Sequence, residues 1–378
     1  MRAHIKLGRI FGIELGLHYS WLLVALLITA SLASQFHYNH PRWGVGVIWG
    51  SALITSLLFF ACLFAHELSH AVVARSRKLP VRSITLFALG GVTQVEAESP
   101  NASTEFWIGI AGPITSWVLG FILLATAFSI GWAPHSTPPS PSLAILVWLG
   151  YINIALGVFN MLPGFPLDGG RVLRALVWRI TGDLRRATRL ATRVGQAAAL
   201  TLILYGILQF FSGAGLGGLW LTFVGSFLLQ AAGATQLQSE ATVLLKDLRA
   251  EELMSRDCVS LAGEITVQQF VHDYLLRTAR RCFVVTEQTQ MVGIITPGDI
   301  RSVDRARWPV TPIRLVMRPM ENVCVISPET SVLKVIELMA REDVNQLPVI
   351  SNRQVVGFVS RDTILQVLHT RAALKTAA

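Results

Sequence analysis

The sequence predicts an α-helical polytopic membrane core of about six spans, followed by a soluble α/β tail built from two similar halves. Three observations predict it. Hydrophobic residues make up 52% of the 378 residues and charged residues only 15%, against ~25% charged in soluble domains. Apolar stretches of spanning length cluster before residue 239, and from about Glu240 the pattern changes to short β-rich runs alternating with helical stretches. The net charge of +9 is unevenly placed: residues 1–239 hold 15 Lys/Arg and 7 Asp/Glu, and residues 240–378 hold 17 and 16. This composition excludes a disordered or collagen-like chain. A basic membrane protein owes its excess charge to cytoplasmic loops rather than to nucleic acid. The four cysteines, Cys62, Cys258, Cys282 and Cys324, are far apart, so neither a disulfide framework nor a cysteine metal site is expected.

Six stretches of about 20 mainly apolar residues read as spans: Leu17–Phe36, Val45–Val73, Phe106–Trp132, Leu143–Leu162, Ala197–Phe211 and Leu216–Ala234. Their flanks alternate in charge. Arg2, Lys6 and Arg9 precede the first; Arg75, Arg77, Lys78 and Arg82 follow the second. The connection between the fourth and fifth carries Arg171, Arg174, Arg179, Arg185, Arg186, Arg189 and Arg193. The other connections hold Arg42 alone. The positive-inside rule then places the basic flanks, both termini and the tail in the cytoplasm. Cleavage at Ala30-Ser31-Leu32-Ala33 as a signal peptide is disfavoured, because the apolar stretch is long for such a segment.

The two halves of the tail align at an offset of 63 residues, from Asp299 to Asp362. The first reads Met254-Ser255-Arg256-Asp257, a helix from about Val267, Cys282-Phe283-Val284-Val285, Met291-Val292-Gly293-Ile294-Ile295, then Thr296-Pro297-Gly298-Asp299. The second reads Met317-Arg318-Pro319-Met320, a helix from about Val332, Leu347-Pro348-Val349-Ile350, Val355-Val356-Gly357-Phe358-Val359, then Ser360-Arg361-Asp362. Two such repeats resemble a tandem pair of CBS (cystathionine β-synthase-type) domains, here 240–312 and 313–378 behind a membrane core of 1–239. The resemblance implies an ATP- or AMP-type adenine nucleotide between the repeats, with Asp299 and Asp362 on ribose hydroxyls and Thr296 and Ser360 near the phosphates. It also allows a homodimer through the tail. The residues alone equally allow both aspartates to cap the helices that follow.

The chemistry is carried by Phe64-Ala65-His66-Glu67-Leu68-Ser69-His70 in the second span. H-E-x-x-H on a helix sets two imidazoles one turn apart on one face, within reach of one Zn²⁺. The glutamate is offset to hold and deprotonate a water there. Two His and one Glu inside an apolar span are costly, and functional by default; gluing helices together is the bland alternative. Catalytic zinc takes three protein ligands and an open position. The candidate for the third lies after the fourth span, in Asn160-Met161-Leu162-Pro163-Gly164-Phe165-Pro166-Leu167-Asp168-Gly169-Gly170. Prolines and glycines break the helix there, and irregular backbone at membrane depth is tolerated only where it lines a cavity or is covered by protein. Asp168 is the sole carboxylate between Glu105 and Asp183. An interfacial turn with an exposed Asp168 is the alternative. Depth favours the pairing: His70 lies five residues before Arg75 and Asp168 three before Arg171, on the same side. At ~1.5 Å per residue the metal would sit roughly 8–14 Å from the cytoplasmic edge.

His66-Glu67-x-x-His70 together with Asn160-x-x-Pro163-x-x-Pro166-x-Asp168-Gly169 is similar to the site-2 protease family of intramembrane metalloproteases. The resemblance extends over most of residues 1–235 and includes Gly90-Gly91, in a β-like stretch over Ile84–Val95, and Ala111-Gly112-Pro113. It implies His66, His70 and Asp168 as zinc ligands, Glu67 as general base, and Asn160 as the residue that positions the scissile amide or stabilises the oxyanion. Its branch with tandem CBS domains lacks a PDZ domain, and no connection here is long enough to hold one. Ser116 departs from the family, where many relatives carry Asn.

The expected reaction is hydrolysis of a peptide bond within or next to a transmembrane segment, with a membrane-anchored transcription regulator or a remnant signal peptide as the substrate the family implies. A helical substrate must unwind first; Ile84–Val95 is read either as an edge that receives the unwound segment or as a surface hairpin that only packs on the core. The alternative of another class is a CBS-regulated transporter or channel. It leaves the Glu between two His unexplained, and the membrane part shows no weak internal repeat of the kind many transporters carry. His18 and Trp21 read as interfacial anchors, and His37, His40 and His135 as outer-loop residues.

Overall fold

The computed structural model describes residues 5–10, 12–87, 90–95, 99–134, 136–277, 283–288, 290–351 and 354–376; Arg2, His135 and Cys282 lie outside them. The chain divides into two compact units, Met1–Leu237 and Gln238–Ala378.

The first unit opens with strands β1 (Ile5–Ile10) and β2 (Ile13–Leu17), paired antiparallel around Gly12, whose φ of +75° is open to glycine at no steric cost. After helices α1 (Ser20–Asn39) and α2 (Val45–Ser76) come β3 (Val81–Phe87) and β4 (Gly90–Val95). β2 pairs parallel with β3, and β3 antiparallel with β4, giving the order β1-β2-β3-β4 with β4 at an edge. Ile13, Leu15 and Ile84 from this sheet bury against Ala71 of α2. Helices α3 (Ala102–Ser129), α4 (Pro141–Asn160), α5 (Asp168–Thr181), α6 (Leu184–Gln209) and α7 (Leu216–Leu245) complete the order. Among the described residues six helices are long and apolar enough to cross a membrane, including Leu184–Gly213 and Gly217–Ala234.

Local chemistry sets their ends. The Asn101 side chain accepts from the Thr104 backbone N–H at 2.8 Å to start α3, and Ser140 precedes Pro141 at the start of α4. α5 stops at Gly182, in the left-handed region at φ +68°, and Asp183 then caps α6 by accepting from the Arg185 and Arg186 N–H groups at 2.8 and 3.1 Å. Those N–H bonds to the carboxylate hold the exposed Asp183 below the usual carboxylate range. α3 and α4 approach through glycine: a Cβ on Gly120 would lie 2.9 Å from the Gly150 carbonyl oxygen. Small residues at a contact are how helices associate in lipid, where apolar burial drives nothing.

Three expectations are corrected. The first span starts at Ser20, because residues up to Leu17 pair in the sheet. The fifth begins at Leu184 rather than Ala197, since the arginine-rich connection consists of α5 and the first turns of α6. The expectation for the cysteines also changes: Cys258 is disulfide-bonded, while Cys62 and Cys324 are free thiols.

In the second unit the first half contains α8 (Ala250–Leu253), β5 (Val259–Ala262), α9 (Val267–Gln269, continued by a π-helical stretch Phe270–Leu275), β6 (Phe283–Glu287), β7 (Gln290–Ile294) and α10 (Pro297–Ile300). The second contains β8 (Arg318–Pro319), α11 (Val332–Arg341), β9 (Gln346–Ser351), β10 (Gln354–Ser360) and α12 (Arg361–Thr376). Each half has its own core, one around Phe270 and Phe283, the other around Val335, Met339 and Leu347. The halves exchange their leading segments. β8 pairs with β7 of the first half, and Ser255 bridges to Phe358 of the second. Gly293 and Gly357 permit this, since a Cβ there would press on the Met317 and Met254 side chains.

Candidate metal centre

His66 and His70 lie one turn apart on α2 and are buried, at 2% and 5% exposure. Asp168 is the first residue of α5, where a carboxylate is favoured by the helix dipole. Its Oδ2 sits 3.1 Å from His66 Nε2 and 3.2 Å from His70 Nε2, and the two Nε2 atoms are 3.3 Å apart. The three ligand atoms thus converge on one point. An exposed interfacial turn for Asp168 does not hold, its side chain being 17% exposed.

α3 holds the two imidazoles from behind. His70 Nδ1 is 2.6 Å from the Ile108 carbonyl oxygen. A carbonyl only accepts, so Nδ1 carries a proton, and it is Nε2 that faces the centre and offers its lone pair to a metal there. His66 Nδ1 is 2.9 Å from the Ser116 hydroxyl, itself fully buried. Gly112 lies between them: a Cβ there would collide with Nε2 of both histidines. Two imidazole lone pairs and a carboxylate aimed at one buried point repel each other unless a cation sits among them. The donor set of two imidazoles and one carboxylate matches catalytic zinc sites, so these residues fit the ion.

The loop before Asp168 is equally crowded. Cβ atoms on Gly169 or Gly170 would collide with backbone of Met161, Leu162 and Gly164, and Phe165 N–H donates to the Ala191 carbonyl at 3.2 Å. Phe165-Pro166 is cis. This packing fixes where α5 starts. Gly164, Phe165, Gly169 and Gly170 are buried, while Leu162, Pro163 and Pro166 are exposed, so the irregular backbone is covered by protein only in part. Glu67 is half-buried, with the β4 backbone against it: a Cβ on Gly91 would lie 2.6 Å from Glu67 Cδ.

Of the other predicted residues, Asn160 ends α4 and donates to the Leu156 carbonyl at 3.1 Å; among the described residues no hydrogen bond joins it to His66, His70 or Asp168. In the tail, Asp299 Oδ2 accepts from the Thr296 N–H at 2.8 Å and the Thr296 hydroxyl at 2.6 Å, and Oδ1 from Arg318 Nε at 2.6 Å. Thr296 is therefore the cap of α10, with Asp299 the third residue of its capping box. Ser360 accepts from Thr363 N–H at 3.1 Å to start α12, and Asp362 lies in that first turn. Neither aspartate is itself the capping residue. Sequence reasoning missed Ile108 altogether, and singled out Gly112 and Ser116 only through the resemblance, without the contacts they make to the imidazoles. The signals were Ala111-Gly112-Pro113 and the departure at Ser116, neither of which indicates that the Ile108 carbonyl faces an imidazole.

A centre of this kind, on a helix of an apolar six-span core, defines a membrane metallopeptidase. Family comparisons agree. The profile of Peptidase family M50 matches residues 54–204, and that of the CBS domain matches 250–305 and 313–370. The Synechocystis protein sll0528, assigned to the zinc metalloproteases, is 32% identical over 378 residues, covering 99% of this chain and 97% of the relative. Rip3 of Mycobacterium tuberculosis, assigned likewise, is 33% identical over 341 residues, 90% of this chain and 86% of the relative. The zinc metalloprotease MJ0392 of Methanocaldococcus jannaschii is 27% identical over 368 residues, 97% of each. Among solved structures, the site-2 protease from Methanocaldococcus jannaschii aligns with 61% of this chain and 94% of its own, at 28% identity and a TM-score of 0.44. The chain belongs to peptidase family M50, the site-2 proteases, and is a multi-pass membrane zinc metalloprotease with a tandem CBS tail.

Proposed function

We propose that the protein hydrolyses peptide bonds within or next to transmembrane segments of membrane-anchored proteins, using His66, His70 and Asp168 as zinc ligands and Glu67 as general base. The observation that carries this is the convergence of the two Nε2 atoms and Asp168 Oδ2 within 3.1–3.3 Å, at the end of an apolar helix. When bound, the metal supplies a Lewis acid and a more acidic water. Glu67 takes the proton of the attacking water and passes it to the leaving amine. Ile108 and Ser116 hold the imidazoles in place throughout. Asn160, at the end of α4, orients the scissile amide once substrate enters. β4 is an edge strand beside Glu67, so an unwound substrate segment pairing with it would lie across the base. An anchored regulator or remnant signal peptide suits that mode, and the basic flanks favour termini and tail in the cytoplasm.

Metal content of the purified chain beside His66→Ala, His70→Ala and Asp168→Ala variants tests the site. About one zinc per chain, lost or weakened in each variant, is expected; unchanged stoichiometry in Asp168→Ala removes it from the ligand set. Glu67→Gln keeps the metal and abolishes cleavage, and retained turnover refutes the base. For the tail, we propose an adenine nucleotide between the repeats, with Asp299, Asp362, Thr296 and Ser360 at the site and substrate access as what it controls. Arg318 would have to release Asp299 Oδ1 for ribose to take its place. Calorimetry with ATP and AMP tests this: no heat with either leaves a docking or dimerisation role.

A further inference from the structure

Beside the metal centre lies an ion pair that the proposed chemistry does not use. Glu105, in the first turn of α3, is 2% exposed, and its carboxylate is hydrogen-bonded to the Arg174 guanidinium of α5 and, at 2.5 Å, to the Ser99 hydroxyl. Arg174 also lies over the Phe165 ring, its Cζ 5.1 Å from the centroid, and its buried Nε has no partner. A buried ion pair is a poor source of stability, since apolar residues of the same volume do as well or better. What this one does is join three segments: α3, α5 and the loop that leads into Asp168.

Those segments carry the centre. α3 supplies the Ile108 carbonyl to His70 and the Ser116 hydroxyl to His66, while α5 supplies Asp168. The two helices touch one turn beyond Glu105, where a Cβ on Gly109 would lie 3.3 Å from the Asp168 carbonyl oxygen. Arg171 Cβ and Val172 Cγ2 would lie closer still, at 3.0 and 3.2 Å, so Gly109 lets α5 pack tightly on α3 at this turn, and the Glu105–Arg174 pair adds a directional tie one turn away that fixes how far α5 can slide along α3. Such sliding would move Asp168 relative to imidazoles whose backs are fixed to α3. We propose that Glu105 and Arg174 are positioning residues, whose ion pair sets the register of α5 on α3 and thereby the spacing of Asp168 from His66 and His70. This rests on those three residues being the metal ligands.

The test uses the full chain in detergent, loaded with Co²⁺ alone, and compares wild type with the double variant Glu105→Gln, Arg174→Gln. The double change removes both charges, so no buried ion is left unpaired. The expected result is a Co²⁺ affinity reduced at least ~10-fold, the lower range for groups that orient ligands, with an altered visible absorption of the bound ion. A loss of stability alone would not change that absorption. Wild-type affinity and spectrum in the double variant overturn the proposal while leaving the ligand assignment intact. If the double variant does not fold, Arg174→Lys, which keeps the charge without the planar stacking on Phe165, is read the same way: a changed spectrum supports the proposal and an unchanged one overturns it. A wild-type chain that binds no Co²⁺ overturns the ligand assignment and this proposal with it.

Discussion

Gly112→Ala separates two roles for one residue with opposite signs. In a helix interior that merely packs, Gly→Ala gains up to about 1 kcal/mol through backbone entropy. Here the added Cβ would collide with Nε2 of both His66 and His70 and lie 2.7 Å from His66 Cε1. Ordinary contact begins near 3.4 Å, so α3 or the imidazole must give by at least 0.7 Å. Metal–ligand distances tolerate about 0.2 Å, and both histidines are pinned from behind by Ile108 and Ser116. The zinc affinity of Gly112→Ala is therefore expected to fall about 100-fold, equivalent to about 2.8 kcal/mol at 1.4 per decade, with cleavage falling alongside. Competition with a chromogenic chelator measures the affinity, and thermal unfolding of the metal-free chain measures the fold. Gly50→Ala in α2, where nothing lies within 4 Å of the added carbon, is the control and keeps wild-type zinc affinity. A Gly112→Ala protein with wild-type zinc affinity and a raised Tm would refute the reasoning, because the Cβ would then have found room that the geometry denies.

Ser116→Ala removes the hydroxyl that holds His66 Nδ1 and is expected to weaken zinc binding ~10-fold without loss of the folded chain; chelator competition checks it, and unchanged affinity would make Ser116 a packing residue. Gly91→Ala drives a Cβ against the Glu67 side chain, so cleavage should fall ~100-fold, the scale of a 1 Å misplacement, while zinc content stays at the wild-type value. Turnover and metal analysis on one preparation separate the two. In the tail, Phe270 is fully buried edge-on to Phe283, with centroids 4.9 Å apart. Phe270→Ala should cost ~3–5 kcal/mol in the tail's own unfolding, read by denaturant titration, and leave the zinc content unchanged.

Much of this molecule is legible along the chain because membrane insertion is a local property. About 20 apolar residues suffice to mark a span, and the starts of α2 and α7 at Val45 and Leu216 agree with the hydropathy reading. The doublet of histidines is local too, since a helix sets residues four apart on one face. Asp168 was reachable because carboxylates are scarce in the core and its depth matched that of His70. The N-terminal strands were not legible: β2 is held by a parallel partner, Ile84 opposite Leu15, some seventy residues away. The arginine-rich stretch was read by charge only as a connection between spans, although Gly182 and Asp183 mark the boundary between two helices. The sequence by itself determined which residues are available for the chemistry, the membrane core that holds them and the repeat in the tail, because these rest on composition and short-range spacing. Only the tertiary structure decided that α3 is the support of the centre, with Ile108, Gly112, Ser116 and Glu105 facing His70, both histidines, His66 and Arg174. Contacts between helices depend on the rotation and register of each against its neighbour, and no periodicity along one chain segment encodes them.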